Sequence, residues 1–248
     1  MEPGIRPHRV KNPGDATTKI CRQSICICVF TLCAATIAGA DDLIAIDVLL
    51  QPGRKMVSLS EQLNARMREQ TPGGFELDEE HAPHITLIQR FVAESDLPRV
   101  LAAVEEVKSR WAVDELTMTA TGIYHIPSGA IGLAGIGVEP SGQLIRLQNA
   151  VLAAVNPYAR SGGGEAAFVP DRSGTPFDPF LFTYVDAFVP ERTGDNFKPH
   201  VTIGMAPLDW LEDLERQPFE KFSFGATGIA VYQLGNFGTA SKRLDTGN

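Results

Sequence analysis

His84-Ile85-Thr86-Leu87 returns later in the chain as His200-Val201-Thr202-Ile203, so that one pattern of histidine, apolar residue, threonine and apolar residue occurs twice. Each copy lies in a stretch rich in β-branched and apolar residues, which predicts a β-strand. Side chains two residues apart in a strand point to the same face, so each histidine projects together with the threonine of its own motif. One such motif is a weak signal, but two matched copies are specific.

Two imidazoles and two hydroxyls in this arrangement suit the chemistry of a phosphodiester. A neutral imidazole can deprotonate an attacking water while a protonated one donates to the departing oxygen, because histidine titrates near neutral pH. We therefore expect His84 and His200 to be catalytic, and the sequence leaves open which is acid and which is base. Thr86 and Thr202 are expected to bind the substrate phosphate as hydrogen-bond donors. This scheme requires no metal and no cofactor.

Strand and helix patterns alternate in the first half of the chain. Alternation of apolar residues predicts strands, and apolar residues at a spacing of three and four predict amphipathic helices. The predicted elements are a strand at 44–50, a helix at 56–67, a strand at 84–92, a helix at 97–111, and a strand pair at 116–121 and 131–138.

The second half repeats this order. It predicts a helix at 143–155, strands at 180–189 and 200–204, a helix at 208–214, and strands at 222–225 and 229–234. The economical interpretation is an α+β fold of two similar lobes, each with an antiparallel sheet and outer helices around a central cleft. Residues 159–178 predict an irregular insertion, which is either a lid over a ligand or a segment without a role.

The N-terminus has the pattern of a secretory signal. Lys19 and Arg22 precede an apolar run, and small residues end at Ala40. We expect residues 1–40 to be removed as a signal peptide, which makes the protein periplasmic or secreted and leaves residues 41–248 as one domain. An uncleaved anchor and a lipoprotein signal are the alternatives. All four cysteines lie in this segment, so no disulfide framework supports the rest of the chain.

The charge of the chain argues against tight binding of long nucleic acid. The net charge is −8, and removal of residues 1–40 takes away five basic and two acidic residues, which leaves −11. Nucleic-acid affinity comes from many Lys and Arg contacts to phosphates, and no basic run follows residue 40. A small nucleotide or an RNA end is compatible with this charge, and we expect a monomer.

The two motifs, Pro83 before the first and Lys198-Pro199 before the second resemble the 2H phosphoesterase superfamily, which includes bacterial 2'-5' RNA ligase-like proteins and cyclic nucleotide phosphodiesterases. The resemblance covers about residues 42–234. It implies a bilobal α+β fold and metal-independent hydrolysis or formation of 2'-linked or 2',3'-cyclic phosphodiesters. His84, Thr86, His200 and Thr202 match the motif positions. The alternatives are a nucleotide or RNA-end binding protein without turnover, and an RNA 2'-5' ligase.

Three aromatic residues could stack on a nucleobase, with core packing as the alternative for each: Tyr124, Phe197 and Tyr232. Arg90 lies two residues past Ile88 on the predicted face of Thr86, so it could meet a terminal phosphate, or it could be an exposed residue at the strand end.

Two further histidines stay outside the predicted site. His81 could form a metal site with His84, but strand alternation turns it to the other face and no third ligand stands nearby. His125 is predicted in a turn between two strands, where exposure to solvent is the commoner outcome.

Overall fold

A computed structural model describes residues 42–170, 174 and 176–245, and the predicted signal peptide lies outside the described residues. Within this part the chain is an α+β protein, with one sheet of eight strands and five α-helices. The strands are β1 (Leu43–Pro52), β2 (Ile85–Ala93), β3 (Thr117–Ser128), β4 (Ile131–Val138), β5 (Ala159–Arg160), β6 (His200–Pro207), β7 (Phe222–Leu234) and β8 (Ala240–Arg243). The helices are α1 (Arg54–Gln70), α2 (Leu97–Arg110), α3 (Gly142–Val155), α4 (Phe180–Arg192) and α5 (Leu208–Arg216).

The sheet joins two halves through one long strand. Its order is β5-β2-β1-β7-β3-β4-β6, with β8 also paired to β7, and every pairing is antiparallel. The first residues of β7 pair with β3, and the later ones pair with β1 and β8. The two segments predicted at 222–225 and 229–234 are therefore one continuous strand that belongs to both halves.

Each half of the sheet combines segments from distant parts of the chain. The half with the first motif contains β1 and β2 together with the late strands β7 and β8, whereas the half with the second motif contains the early strands β3 and β4 next to β6. The two motif strands, β2 and β6, lie on different halves and approach each other.

Amphipathic helices build the main core against the sheet. On α1, Met56, Leu63 and Met67 are buried, and α2, α3 and α5 bury apolar residues at the same helical spacing. These side chains join those of the sheet in one hydrophobic cluster. Among the described residues, no helix combines the length and the apolar character that are needed to cross a membrane.

The prediction of a strand at 180–189 is wrong, because this segment forms helix α4. Leu181, Val185 and Phe188 are its buried residues, at helical spacing, and the carboxylate of Asp178 accepts a hydrogen bond from the backbone N–H of Phe180 at the helix start. The many Phe, Val, Thr and Tyr residues of the segment favour a strand locally, but packing against the sheet overrides that preference.

The described part of the predicted insertion at 159–178 is packed against the rest of the molecule. Its first residues form β5 on the edge of β2, and the ring of Phe168 packs edge-on against Phe91 with 5.9 Å between centroids. The carboxylate of Asp186 accepts a hydrogen bond from the backbone of Gly162. Residues 171–173 and 175 lie outside the described residues, so the lid remains a prediction.

Candidate active site

Both motif strands contain a β-bulge at the same place. In β2, Val48 of β1 faces Ile88 and Leu49 faces Thr86, so Leu87 is the extra residue. In β6, Ala134 of β4 faces Gly204 and Gly135 faces Thr202, so Ile203 is the extra residue. The residue that follows the threonine of each motif is thus unpaired, and strand alternation changes at that point.

A buried amide side chain from a helix holds each bulge. Gln148 of α3 donates a hydrogen bond to the carbonyl of Leu87 at 3.0 Å. Asn64 of α1 donates to the carbonyl of Ile203 at 3.0 Å. Both amides are almost completely buried, where an unpaired carbonyl would be costly. Neither residue was predicted from the sequence, because a polar residue on the inner face of a helix shows its partner only in the folded chain.

The two imidazoles are oriented in the same way. Nδ1 of His84 lies 2.7 Å from the carbonyl oxygen of Ala82, and Nδ1 of His200 lies 2.8 Å from that of Lys198. A carbonyl only accepts, so in each ring Nδ1 carries a proton and donates it. A proline separates each histidine from its carbonyl partner. This arrangement leaves Nε2 of each ring for proton transfer.

Asp47 on β1 makes the two halves of the site different. Its carboxylate is fully buried, and Oδ2 lies 3.5 Å from Nε2 of His84. The hydroxyl of Thr86 donates to the same oxygen at 2.7 Å, and the amide of Gln89 donates to it at 3.3 Å. Oδ1 has no hydrogen-bond partner within the described part of the chain. The described residues give His200 no corresponding carboxylate within ion-pair distance.

The two histidines have pKa values displaced in opposite directions. Burial opposes protonation of His84, but the hydrogen bond and the charge of Asp47 outweigh it, so the pKa of His84 is raised. Burial lowers the pKa of His200 more than the hydrogen bond to the Lys198 carbonyl raises it. The positive charges of His84 and Arg192 lower the pKa further, and Asp47 raises it slightly. Near neutral pH, protonation is therefore favoured at His84 over His200.

An aromatic side chain, Tyr124, packs against the histidine of the second motif. The ring of Tyr124 on β3 lies edge-on to His200, with 5.6 Å between centroids. Gly135 on β4 makes this possible, because a Cβ atom there would lie 2.8 Å from the tyrosine ring. Burial raises the pKa of Tyr124, so its hydroxyl stays protonated and can donate a hydrogen bond.

Helix α4 adds two residues that were not predicted, because the sequence favours a strand in this segment. The guanidinium of Arg192 lies over the ring of Tyr184, 5.4 Å from the ring centroid. Arg192 is close enough to His200 for its charge to lower the pKa of that histidine, and Tyr184 is close enough to Asp47 to be influenced by the charge of the carboxylate. An arginine near the imidazole and the hydroxyl of the second motif can help to hold a phosphate.

Three residues that could have contacted the substrate do not join this group. Arg90 was expected on the face of Thr86, and this is wrong because the bulge at Leu87 changes the alternation. Gln89 lies on the face of Thr86 instead, and both side chains donate a hydrogen bond to Asp47. The guanidinium of Arg90 donates to the side-chain oxygen of Asn156, just after α3, at 3.4 Å. Phe197 is buried in the main core, so the alternative of core packing applies to it. Tyr232 is likewise buried, in a small cluster beside the sheet.

The other two described histidines have partners away from the motifs. His81 lies 3.1 Å from a carboxylate oxygen of Asp78 and stacks on Phe75. His125 is on β3, where a turn was predicted, and lies 2.7 Å from a carboxylate oxygen of Glu215. Among the residues that the structure describes, no group of three or more His, Cys, Asp or Glu side chains could hold a metal ion.

The fold and the paired motifs define the class of two-histidine phosphoesterases. The model of the 2'-5' RNA ligase superfamily matches residues 58–235, and the chain belongs to this superfamily. No curated protein matches the chain in sequence.

Solved structures that resemble the chain share little sequence with it. The protein TT0787 of Thermus thermophilus is 16% identical, with 82% of this chain and 96% of that one covered and a TM-score of 0.44. Usb1 of Kluyveromyces marxianus is 11% identical, with 79% and 99% covered and a TM-score of 0.36. A structure described as a phosphoesterase is 12% identical, with 82% and 97% covered and a TM-score of 0.38.

Proposed function

We propose that this protein is a metal-independent phosphodiesterase that cleaves 2',3'-cyclic phosphates or 2'-5' linkages in small nucleotides or at RNA ends. The observation that supports this most is the matched orientation of His84 and His200, in which a carbonyl fixes Nδ1 and leaves Nε2 of each ring for proton transfer. Membership of a superfamily of phosphoesterases supports the same reaction type.

The reaction needs two proton transfers, and the two imidazoles supply them. One removes a proton from the attacking water as the water oxygen bonds to phosphorus. The other protonates the sugar oxygen whose bond to phosphorus breaks. Each transfer by a positioned side chain accelerates a reaction by about 10²- to 10⁴-fold. The scheme contains no step that depends on a metal.

The remaining groups would hold the substrate. Within the described residues Thr202 makes no side-chain hydrogen bond, so its hydroxyl is available to a phosphate oxygen, and Arg192 would contribute a charged donor. The partly buried ring of Tyr124 beside His200 suits contact with a sugar or base. The acidic net charge favours a small substrate over a long polyanion.

The test uses the full chain with a chelator present, and a panel of 2',3'-cyclic nucleotides and 2'-5'-linked dinucleotides. We expect wild-type turnover, and a loss of about 10²- to 10⁴-fold in kcat for His84→Ala and for His200→Ala. His125→Ala is the matched control, because it removes an imidazole that is paired with Glu215 instead. It should turn over substrate like the wild type.

Other outcomes would point elsewhere. Activity that survives both substitutions, or that the chelator abolishes, would contradict the proposal. Binding without turnover of any member of the panel would identify a binding protein. Formation of 2'-5' linkages from 2',3'-cyclic ends, seen by product analysis, would identify a ligase that uses the same groups in reverse.

A further inference from the structure

A buried carboxylate needs a positively charged partner, and for Asp47 this partner is His84. Its side chain is fully buried, and the only ion pair that it makes within the described part of the chain is with His84, at 3.5 Å. Thr86 and Gln89 are neutral donors that fix Oδ2 without compensating the charge. An uncompensated charge in such a place is strongly unfavourable, so protonated His84 is the natural counter-ion.

The orientation of the rings gives the same result. Because Nδ1 of His84 donates to the carbonyl of Ala82, a neutral His84 would present the lone pair of Nε2 to a carboxylate oxygen. Protonation of Nε2 replaces this repulsion by attraction. For His200 the situation is reversed, since its Nε2 lone pair meets no carboxylate among the described residues and its neighbours include His84 and Arg192.

We propose that Asp47 is a positioning residue that keeps His84 as the proton donor and leaves His200 as the proton acceptor. This inference rests on the proposed function and deepens it, because the two motifs alone treat the histidines as equivalent. Asp47 acts through His84, because its Oδ2 lies 3.5 Å from the Nε2 atom that carries the transferred proton.

For a 2',3'-cyclic phosphate the step is balanced as follows. Nε2 of His200 takes a proton from water, and the water oxygen forms a bond to phosphorus. The bond from phosphorus to one ribose oxygen breaks with its electron pair, and that oxygen takes the Nε2 proton of His84. The products are a phosphomonoester and a free hydroxyl, with His200 protonated and His84 neutral. Transfer of a proton back to His84 is favoured by Asp47.

The two histidines and the charged and titratable groups around them come from five elements. Asp47 faces it from β1, Tyr124 from β3, and Tyr184 and Arg192 from α4, and each histidine faces the other from β2 and β6. Of the described groups that act on these histidines, Asp47 is the negative one. Its removal should therefore act mainly on protonated His84.

The experiment has two measurements on the full chain. NMR titration of the imidazole carbons gives the pKa of each histidine, with His84→Gln and His200→Gln used to assign the signals. The pH profile of kcat/KM gives the same groups during turnover. Asp47→Asn keeps the shape of the side chain and removes its charge. Asp96→Asn is the control, because Asp96 is a buried, paired carboxylate just beyond the end of β2, with Arg99 and Arg160 as partners.

In the wild type we expect the pKa of His84 to lie above that of His200. Activity should then decrease when the pH rises above the pKa of His84, and also when the pH drops below the pKa of His200. In Asp47→Asn the pKa of His84 should drop, and the alkaline limb should move to lower pH. At the alkaline side of the wild-type optimum, kcat/KM should fall by about 10- to 100-fold, within the contribution of a general acid. Asp96→Asn should leave both limbs in place.

Reversed pKa values in the wild type would overturn the inference even if Asp47→Asn did not fold. An unchanged alkaline limb in folded Asp47→Asn would also overturn it while the proposed function stood. If the wild type turned over nothing but the pKa of His84 still dropped in Asp47→Asn, the effect of Asp47 on His84 would be supported and the proposed function would fail.

Discussion

Thr86 and Thr202 occupy the same position of the same motif but have different partners. A hydroxyl has one proton, and Thr86 donates it to the carboxylate of Asp47 at 2.7 Å. Thr202 makes no such bond among the described residues. The role of phosphate donor therefore remains a prediction for Thr202, whereas the hydroxyl proton of Thr86 is already donated to Asp47, the partner of His84.

Replacement of the two threonines should give different kinetic defects. Thr202→Val removes a hydrogen bond to a charged group, and such bonds contribute about 1.5–3 kcal/mol, so kcat/KM should fall by about 10- to 100-fold at every pH. Thr86→Val should instead loosen Asp47 and move the alkaline limb of the pH profile to lower pH. Thr117→Val, at an exposed strand position, is the control. Identical defects in the two variants would contradict this difference.

At the scale of elements, helix α4 completes the site. It brings Arg192 near His200 and Tyr184 near Asp47. Gln148 of α3 fixes the end of the helix by a hydrogen bond to the carbonyl of Arg192 at 3.3 Å. The same glutamine holds the bulge of β2. The position of the arginine is thus tied to the strand that carries the first motif.

Arg192→Gln should weaken substrate binding and move the acid limb of the pH profile to higher pH. Loss of a phosphate contact should raise KM by about 10-fold or more. The positive charge of Arg192 lowers the pKa of His200, so its loss should raise that pKa. A base is active only when deprotonated, and the acid limb should therefore move to higher pH. Arg216→Gln on α5 is a control of equal charge, and a defect as large there would argue against a local role of Arg192.

At the scale of the whole molecule, β7 joins the two halves of the sheet. Its thirteen residues pair with β3 at one end and with β1 and β8 at the other. Loss of this strand would remove ladder hydrogen bonds from both halves, and the main hydrophobic cluster extends over both. The two motifs are therefore positioned by one common structure.

This coupling predicts that both halves unfold together. The chain has two tryptophans, Trp111 after α2 and Trp210 in α5, so Trp210→Phe and Trp111→Phe each leave one fluorescent probe. In each variant, unfolding in denaturant followed by tryptophan fluorescence should coincide with unfolding followed by circular dichroism. Fluorescence midpoints that depart from circular dichroism in opposite directions would show that the halves unfold separately.

The sequence by itself determined the motifs, most of the elements and the fold class. His84, Thr86, His200 and Thr202 were recognisable because strand alternation and the repeat are local properties of the chain. The helices α1, α2, α3 and α5 follow from apolar spacing for the same reason. The superfamily also follows from these local patterns, and the family match confirms it.

Tertiary structure alone decided what makes the two motifs unequal. Asp47 stands in an ordinary apolar strand, and its pairing with His84 depends on a register between β1 and β2 that includes a bulge. Gln148 and Asn64 meet the bulges from helices far away in sequence. Helix α4 replaced a predicted strand because burial against the sheet outweighs local preference. Such effects depend on contacts between distant segments, and no pattern within one segment encodes them.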